Sequence, residues 1–188
     1  MDLIPFAWPA GVSAMVVLAE LTLHLYREKG TSLVEHMDDL YSKYGFFCSR
    51  NGYYSMPDPG VASTILDRIR SKGRTYEVLK QSVERLDRSV VWFRDLGHPG
   101  YDSTRPDQNY TPVMSNSAPL LTIKLSSGCL VQLRPSGTEP KFKYYLEMQG
   151  TPGMPREDVQ EELDFVEGYL LDKLLEPSVN GSDCDDMK

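Results

Sequence analysis

Apolar residues recur at helical spacing from the start of the chain. Val12, Met15, Val16, Ala19, Leu23 and Tyr26 define one stripe, so Gly11–Lys29 is expected to be a helix, closed by Gly30. Thr31 or Ser32 is placed to cap a second helix, with Leu33, Met37, Leu40 and Tyr44 as its apolar face and Gly45 at its end. Phe46–Met56 is aromatic-rich, and Asn51-Gly52 in its middle predicts a hairpin turn. Pro57-Asp58-Pro59 marks the expected main domain boundary. Asp58 is a candidate N-cap and Pro59 a first helical residue, for a helix reaching about Ser71 with Val61, Ile65, Leu66 and Ile69 inward.

Beyond it the period shortens. Leu79–Leu86 fits either a strand or a loop, whereas Val90–Leu96 is β-branched and aromatic and reads as a strand. Gly97–Met114, broken by Pro99, Gly100, Pro106 and Pro112, reads as a long surface loop. Pro119–Leu125, the turn Ser126-Ser127-Gly128 and Cys129–Leu133 make a strand, turn and strand. Arg134–Lys141 is a polar loop and Phe142–Met148 another strand. Pro155–Leu175 places Val159, Leu163, Val166, Leu170 and Leu174 on one helical face, and the acidic Pro177–Lys188 is expected to be disordered. Short turns between strands imply an antiparallel sheet, so the fold class is α+β: about four strands with helices on one face.

Composition narrows the function classes. The 188 residues are 40% hydrophobic and 25% charged, as in ordinary globular proteins, with a net charge of −7. No basic stripe offers a nucleic-acid footprint, although a local donor cluster still suits an anion. Cys48, Cys129 and Cys184 are odd in number and lack metal spacing, which reads as free thiols in a reducing compartment. His24, His36 and His98 form no metal motif. The apolar run near Ala10–Ala19 is too short to span a bilayer and no leader opens the chain, so a cytoplasmic address is expected.

The residues of one loop carry chemistry. Arg134 offers a planar fork of donors matched to phosphate oxygens. Ser136 and Thr138 offer hydroxyls, and Gly137 lets backbone N–H groups approach an anion. Pro135 and Pro140 stiffen the ends, with Lys141 and Lys143 adding positive charge. A plain hairpin loop draws on the same residue types.

Arg134–Tyr144, RPSGTEPKFKY, closely resembles the phosphate-binding loop of the α-D-phosphohexomutase superfamily. Gly11–Ala19, Leu40–Phe46, Arg94-Asp95, Gly100–Ser103, Arg105-Pro106 and Leu121–Leu133 resemble its eukaryotic branch of phosphopentomutases and glucose-1,6-bisphosphate synthases. The resemblance runs in order from about Gly11 to Pro177. It implies a last, TATA-binding-protein-like domain at 57–176, preceded by the helical end of a third domain and its linker at 11–56. Residues 1–10 would be an atypical lead-in and 177–188 an acidic tail. It implies that Arg134, Ser136, Gly137 and Thr138 contact a substrate phosphate, with Lys143 as a second basic contact.

The family's phosphoserine, its Asp-x-Asp-x-Asp magnesium loop and its Gly-Glu-Glu-Ser-Gly sugar loop have no counterpart in this sequence. Asp183, Asp185 and Asp186 alternate only in part and are not read as a metal site. The resemblance therefore implies a C-terminal piece of an isomerase that moves a phosphoryl group on hexose or pentose phosphates. No catalytic residue and no cofactor are expected on this chain, and no turnover alone, whereas the whole enzyme would use magnesium and a bisphosphate sugar. The alternative is a non-catalytic module that binds phosphosugar, the missing domains or itself through the apolar faces of Gly11–Tyr44. Gly100–Ser103 is read as structural. Tyr144 and Tyr145 are read as one inward and one outward, and Glu157–Glu162 as a solvated first helical turn.

Overall fold

A computed structural model describes residues 10–71, 75–84, 89–97, 100–110, 120–181 and 183–186. The expected lead-in before Ala10 lies outside them. The chain divides into two compact units, Met1–Gly45 and Phe46–Lys188.

In the first unit, helix α1 (Ala10–His24) runs into a π-helical turn, Leu25–Lys29. Gly30 closes it at φ 64, donating its N–H to the Leu25 carbonyl. Helix α2 (Leu33–Tyr44) is capped by Ser32 rather than Thr31. The Ser32 hydroxyl accepts from Glu35 N–H (3.2 Å), and Glu35 Oε2 accepts from Ser32 N–H (2.7 Å), a reciprocal capping box. Those bonds hold the Glu35 carboxyl below its usual pKa.

The second unit is one antiparallel sheet with helices on one face. Its strands are β1 (Phe47–Ser55), β2 (Val90–Asp95), β3 (Gly100–Asp102), β4 (Asn109–Tyr110), β5 (Leu121–Leu125), β6 (Leu130–Pro135), β7 (Lys141–Gln149) and β8 (Asp183–Asp186). Their order is β4-β3-β2-β5-β6-β7-β1-β8. Helices α3 (Pro59–Arg70), α4 (Glu77–Glu84) and α5 (Arg156–Leu175) and the short α6 (Pro177–Asn180) complete it.

Several expectations change here. Phe46–Met56 is no hairpin: β1 is one strand, paired with β7 from Phe47↔Gln149 to Ser55↔Lys141. Gly52 serves a close approach instead, because the Tyr144 ring lies where a Cβ would sit. The expected boundary near Pro57 falls inside the second unit, since β1 is an inner strand. Leu79–Leu86 is helical as far as Glu84, with Leu79, Ser82 and Val83 buried at spacings of three and four, and its last two residues lie outside the described ones. Within the expected tail, Pro177–Asn180 forms α6 and Asp183–Asp186 pairs as β8 with β1, while residues 182, 187 and 188 lie outside the described ones. Part of the expected loop Gly97–Met114 pairs as β3 and β4, while residues 98–99 and 111–114 lie outside the described ones. The sheet has eight strands rather than about four: β1 joins it from the expected linker, and β3, β4 and β8 are short strands that carry little hydrophobic signal.

Alternation sorts the sheet into two faces. Leu121, Ile123, Leu125, Val131, Leu133, Phe142, Tyr144 and Leu146 are buried with Ile65, Ile69, Leu79, Val159, Leu163, Val166 and Leu170 of the helices. Each such side chain contributes about 1.5–3 kcal/mol when fully buried. The other face carries polar and aromatic side chains that are half-buried or exposed.

Two buried aspartates tie the end of β2 into this core. Asp95 accepts from Arg70 Nε (2.7 Å) and Nη2 (3.0 Å), Tyr76 Oη (3.0 Å) and Gly97 N–H (2.8 Å). Burial alone would raise its pKa. The Arg70 bonds, the Gly97 N–H, the Arg70 charge and the Tyr76 hydroxyl outweigh it and hold the carboxyl below the usual value. Tyr76 sits at φ 54, unfavourable for a bulky residue, and its ring packs on Phe93 (4.6 Å) and Tyr101 (4.9 Å). Asp102 accepts from Arg94 Nε (2.8 Å) and from Thr104 N–H (3.0 Å) and Oγ1 (2.7 Å). The Ser103 hydroxyl accepts from Phe93 N–H (2.8 Å). Arg94-Asp95 and Gly100–Ser103 thus form a clasp within the fold.

Candidate functional site

The β6–β7 hairpin ends in the loop Ser136–Pro140. Register sets Leu133 opposite Tyr144, Arg134 opposite Lys143 and Pro135 opposite Phe142. Ser136 N–H donates to the Lys141 carbonyl (2.8 Å) and closes the loop, and Lys141 N–H donates to the Glu139 carbonyl (2.8 Å). Met56 N–H, just past β1, donates to the Pro140 carbonyl (2.7 Å) and anchors the far side.

Gly137 is exposed, has no positive φ, and would have no heavy atom within 4 Å of an added Cβ. The fold does not demand glycine there. Its absent side chain matters only to something that approaches from outside.

The charges are disposed unusually. Arg134 is exposed and Lys143 half-buried, and directly opposite positions place their Cβ atoms about 5 Å apart. Neither has an ion pair or side-chain hydrogen bond among the described residues. Like charges directly opposite destabilise a sheet. Lys141, by contrast, is occupied: its Nζ lies 3.5 Å from Glu139 Oε2 and 4.3 Å from the centre of the Tyr53 ring. Ser136 is half-buried and Thr138 exposed, and both hydroxyls are free among the described residues. The hairpin therefore gathers Arg134, Ser136, Gly137, Thr138 and Lys143 at one end of the open face, as a donor set with no acceptor carboxylate bonded to it.

Other candidate chemistry is weak. The described residues hold no group of three or more His, Cys, Asp or Glu able to bind a metal ion, so the magnesium of the resemblance has no ligand set among them. Burial pushes the Cys129 thiol up to about 12; the nearby Glu162 carboxylate adds to this and Lys124 opposes it, so it is a neutral core thiol. A cleft of about 380 Å³ beside α4 and β2, lined by Lys80, Val83, Trp92 and Ser103 among others, contains none of the loop residues. No described helix is long and apolar enough to cross a membrane. The roles of Met56 and Tyr53 were not foreseen from sequence, because reading Phe46–Met56 as a hairpin hid their place beside β7.

No protein-family model matches the chain. It is 36% identical over 172 residues to the glucose 1,6-bisphosphate synthase of Mus musculus, which takes in 90% of this chain and 27% of that protein. It is 31% identical over 168 residues to the phosphopentomutase of Mus musculus, covering 89% of this chain and 26% of that one. The chain belongs to the α-D-phosphohexomutase superfamily. Among solved structures, this superfamily member resembles the open form of pp63/parafusin, a phosphoglucomutase of Paramecium. That likeness has a TM-score of 0.56 at 17% identity and covers 88% of this chain and 27% of the other. It supports the α+β fold. The phosphohexomutase-family chain spans about a quarter of the length of the curated relatives it matches.

Proposed function

We propose that this chain is the substrate-phosphate-binding portion of a phosphosugar mutase, gripping the phosphate of a hexose or pentose phosphate between the Ser136–Thr138 loop and the Arg134–Lys143 pair. The observation that carries the reading is that pair. Two cations directly opposite each other, without a carboxylate partner among the described residues, lower stability unless an anion joins them. Arg134 suits two phosphate oxygens at once, Lys143 adds a point charge, and Ser136 and Thr138 add hydroxyl donors. The bare backbone at Gly137, which the fold does not require, leaves room for close approach. These groups bind and orient. Among the described residues no general base is hydrogen-bonded to the Ser136 or Thr138 hydroxyl to activate it, so this chain alone is expected to show no mutase turnover.

The test is a ¹H–¹⁵N NMR titration with glucose 1-phosphate and ribose 1-phosphate. A single phosphate site is expected to bind at about millimolar strength, near 4 kcal/mol. Saturable shifts confined to residues 134–143, and absent in Arg134→Met, are the expected result. Shifts spread evenly over the chain, or unchanged in Arg134→Met, refute the site.

A second reading, a partner-binding module, has its own observation. In α1, Met15 is 64% exposed and Val17 59% exposed, with Leu18 and Leu23 also exposed. Apolar exposure of that kind marks association surfaces. Light scattering decides: a monodisperse monomer at high concentration counts against self-association.

A further inference from the structure

The phosphate reading leaves open where the rest of the ligand lies, and the rows of the open face bear on that. On one side of the Arg134–Lys143–Tyr53 row is the row of Lys141 and Ser55. That ground is filled, because Lys141 lies over the Tyr53 ring and pairs with Glu139. On the other side, two residues along the strands, is the row Thr122–Gln132–Tyr145–Asn51. Two residues of strand span about 6.8 Å, a distance that places the next row beneath a sugar ring whose phosphate sits at Arg134.

Among the described residues, the side chains of this second row have no polar partner. Tyr145 is half-buried, yet its ring and hydroxyl have no stacking, hydrogen-bond or charge partner among the described residues. The side-chain amides of Gln132 and Asn51 are equally free among the described residues. The helices of the second unit pack on the opposite face, so they do not cover this row. A flat aromatic ring flanked by two amides suits a polyhydroxylated ring: the aromatic face packs against sugar C–H bonds, and each amide can both donate and accept for hydroxyls. We propose that Tyr145, with Gln132 and Asn51, is a platform for the sugar ring of the phosphosugar whose phosphate the hairpin holds. This inference rests on the phosphate-site reading and adds a sugar-contacting role to it.

The experiment compares the chain with Tyr145→Ala, Tyr145→Phe and Gln132→Ala, each titrated by NMR with inorganic phosphate, glucose 1-phosphate and ribose 1-phosphate. The unaltered chain should bind at least one phosphosugar about fivefold more tightly than inorganic phosphate, the equivalent of one aromatic contact of about 1 kcal/mol. Tyr145→Ala should leave inorganic phosphate binding unchanged and reduce that ratio to about one. Tyr145→Phe should keep most of it, because the ring face carries the contact. Gln132→Ala should weaken the phosphosugars only. If phosphate binds but the ratio is the same with and without the Tyr145 ring, the platform is wrong and the phosphate site stands. If inorganic phosphate and phosphosugars both fail to bind the well-folded chain, the phosphate reading falls and the platform falls with it.

Discussion

Removing one member of the Arg134–Lys143 pair should make the protein more stable and a poorer phosphate binder. The two Cβ atoms are about 5 Å apart by register, and a separation of roughly 6 Å between the charged groups is taken for the arithmetic. Two unit charges at that separation repel by about 0.7 kcal/mol in water. The screening length of about 8 Å at physiological salt roughly halves this, and dilute salt restores most of it. Arg134→Met and Lys143→Met keep much of the side-chain stem, so each should raise unfolding free energy by about 0.3 kcal/mol at physiological salt and about 0.6 kcal/mol at low salt. The double variant should gain no more than either single one, since both remove the same repulsion. Phosphate should reverse the ranking. Losing a charge-assisted donor costs about 2 kcal/mol, or roughly thirtyfold in affinity. The assay is urea unfolding of all four proteins at two salt concentrations, with and without saturating phosphate. Additive single effects, or a destabilised Arg134→Met at low salt, would refute the claim that the pair is strained for an anion.

Gly137→Ala should leave the urea midpoint unchanged or raise it by up to about 0.5 kcal/mol, because the backbone there is free of strain, while weakening phosphate binding several-fold by titration. Gly52→Ala should cost about 1–3 kcal/mol, since the Tyr144 ring must move, and a wild-type midpoint would show the approach is not tight. Asp95 and Asp102 have folded pKa values below the unfolded value of about 3.9, so their stabilisation is fully present above that pH and is lost as pH falls through the lower folded values. The urea midpoint should therefore fall steeply below about pH 4. Asp95→Asn should lower stability by roughly 3 kcal/mol at neutral pH, by leaving Arg70 without its charge partner, and flatten that acid slope.

Much of the candidate site was legible because its signal is local. Arg134–Lys141 is contiguous, its residue types suit one ligand, and the flanking alternation located both strands. The helices α1, α2, α3 and α5 were legible from their stripes and caps. What was missed depended on partners distant in sequence. Asn51-Gly52 looks like a turn until Tyr144 is set opposite it, which requires knowing that β1 pairs with β7. Residues 183–186 are too polar to announce a strand, and they form one because β1 offers a free edge. The α4 segment was too short, and its apolar residues too closely spaced, for period alone to separate helix from strand. Lys141 matched the motif as well as Arg134 did, and only the positions of Glu139 and Tyr53 reveal that it is occupied.

The most direct test of the central claim is a ³¹P NMR titration of inorganic phosphate against the chain and against the Arg134→Met/Lys143→Met double variant, in dilute and physiological salt. The account predicts a saturable shift for the chain that weakens as salt rises and that the double variant abolishes. Equal phosphate binding by the two proteins would contradict it.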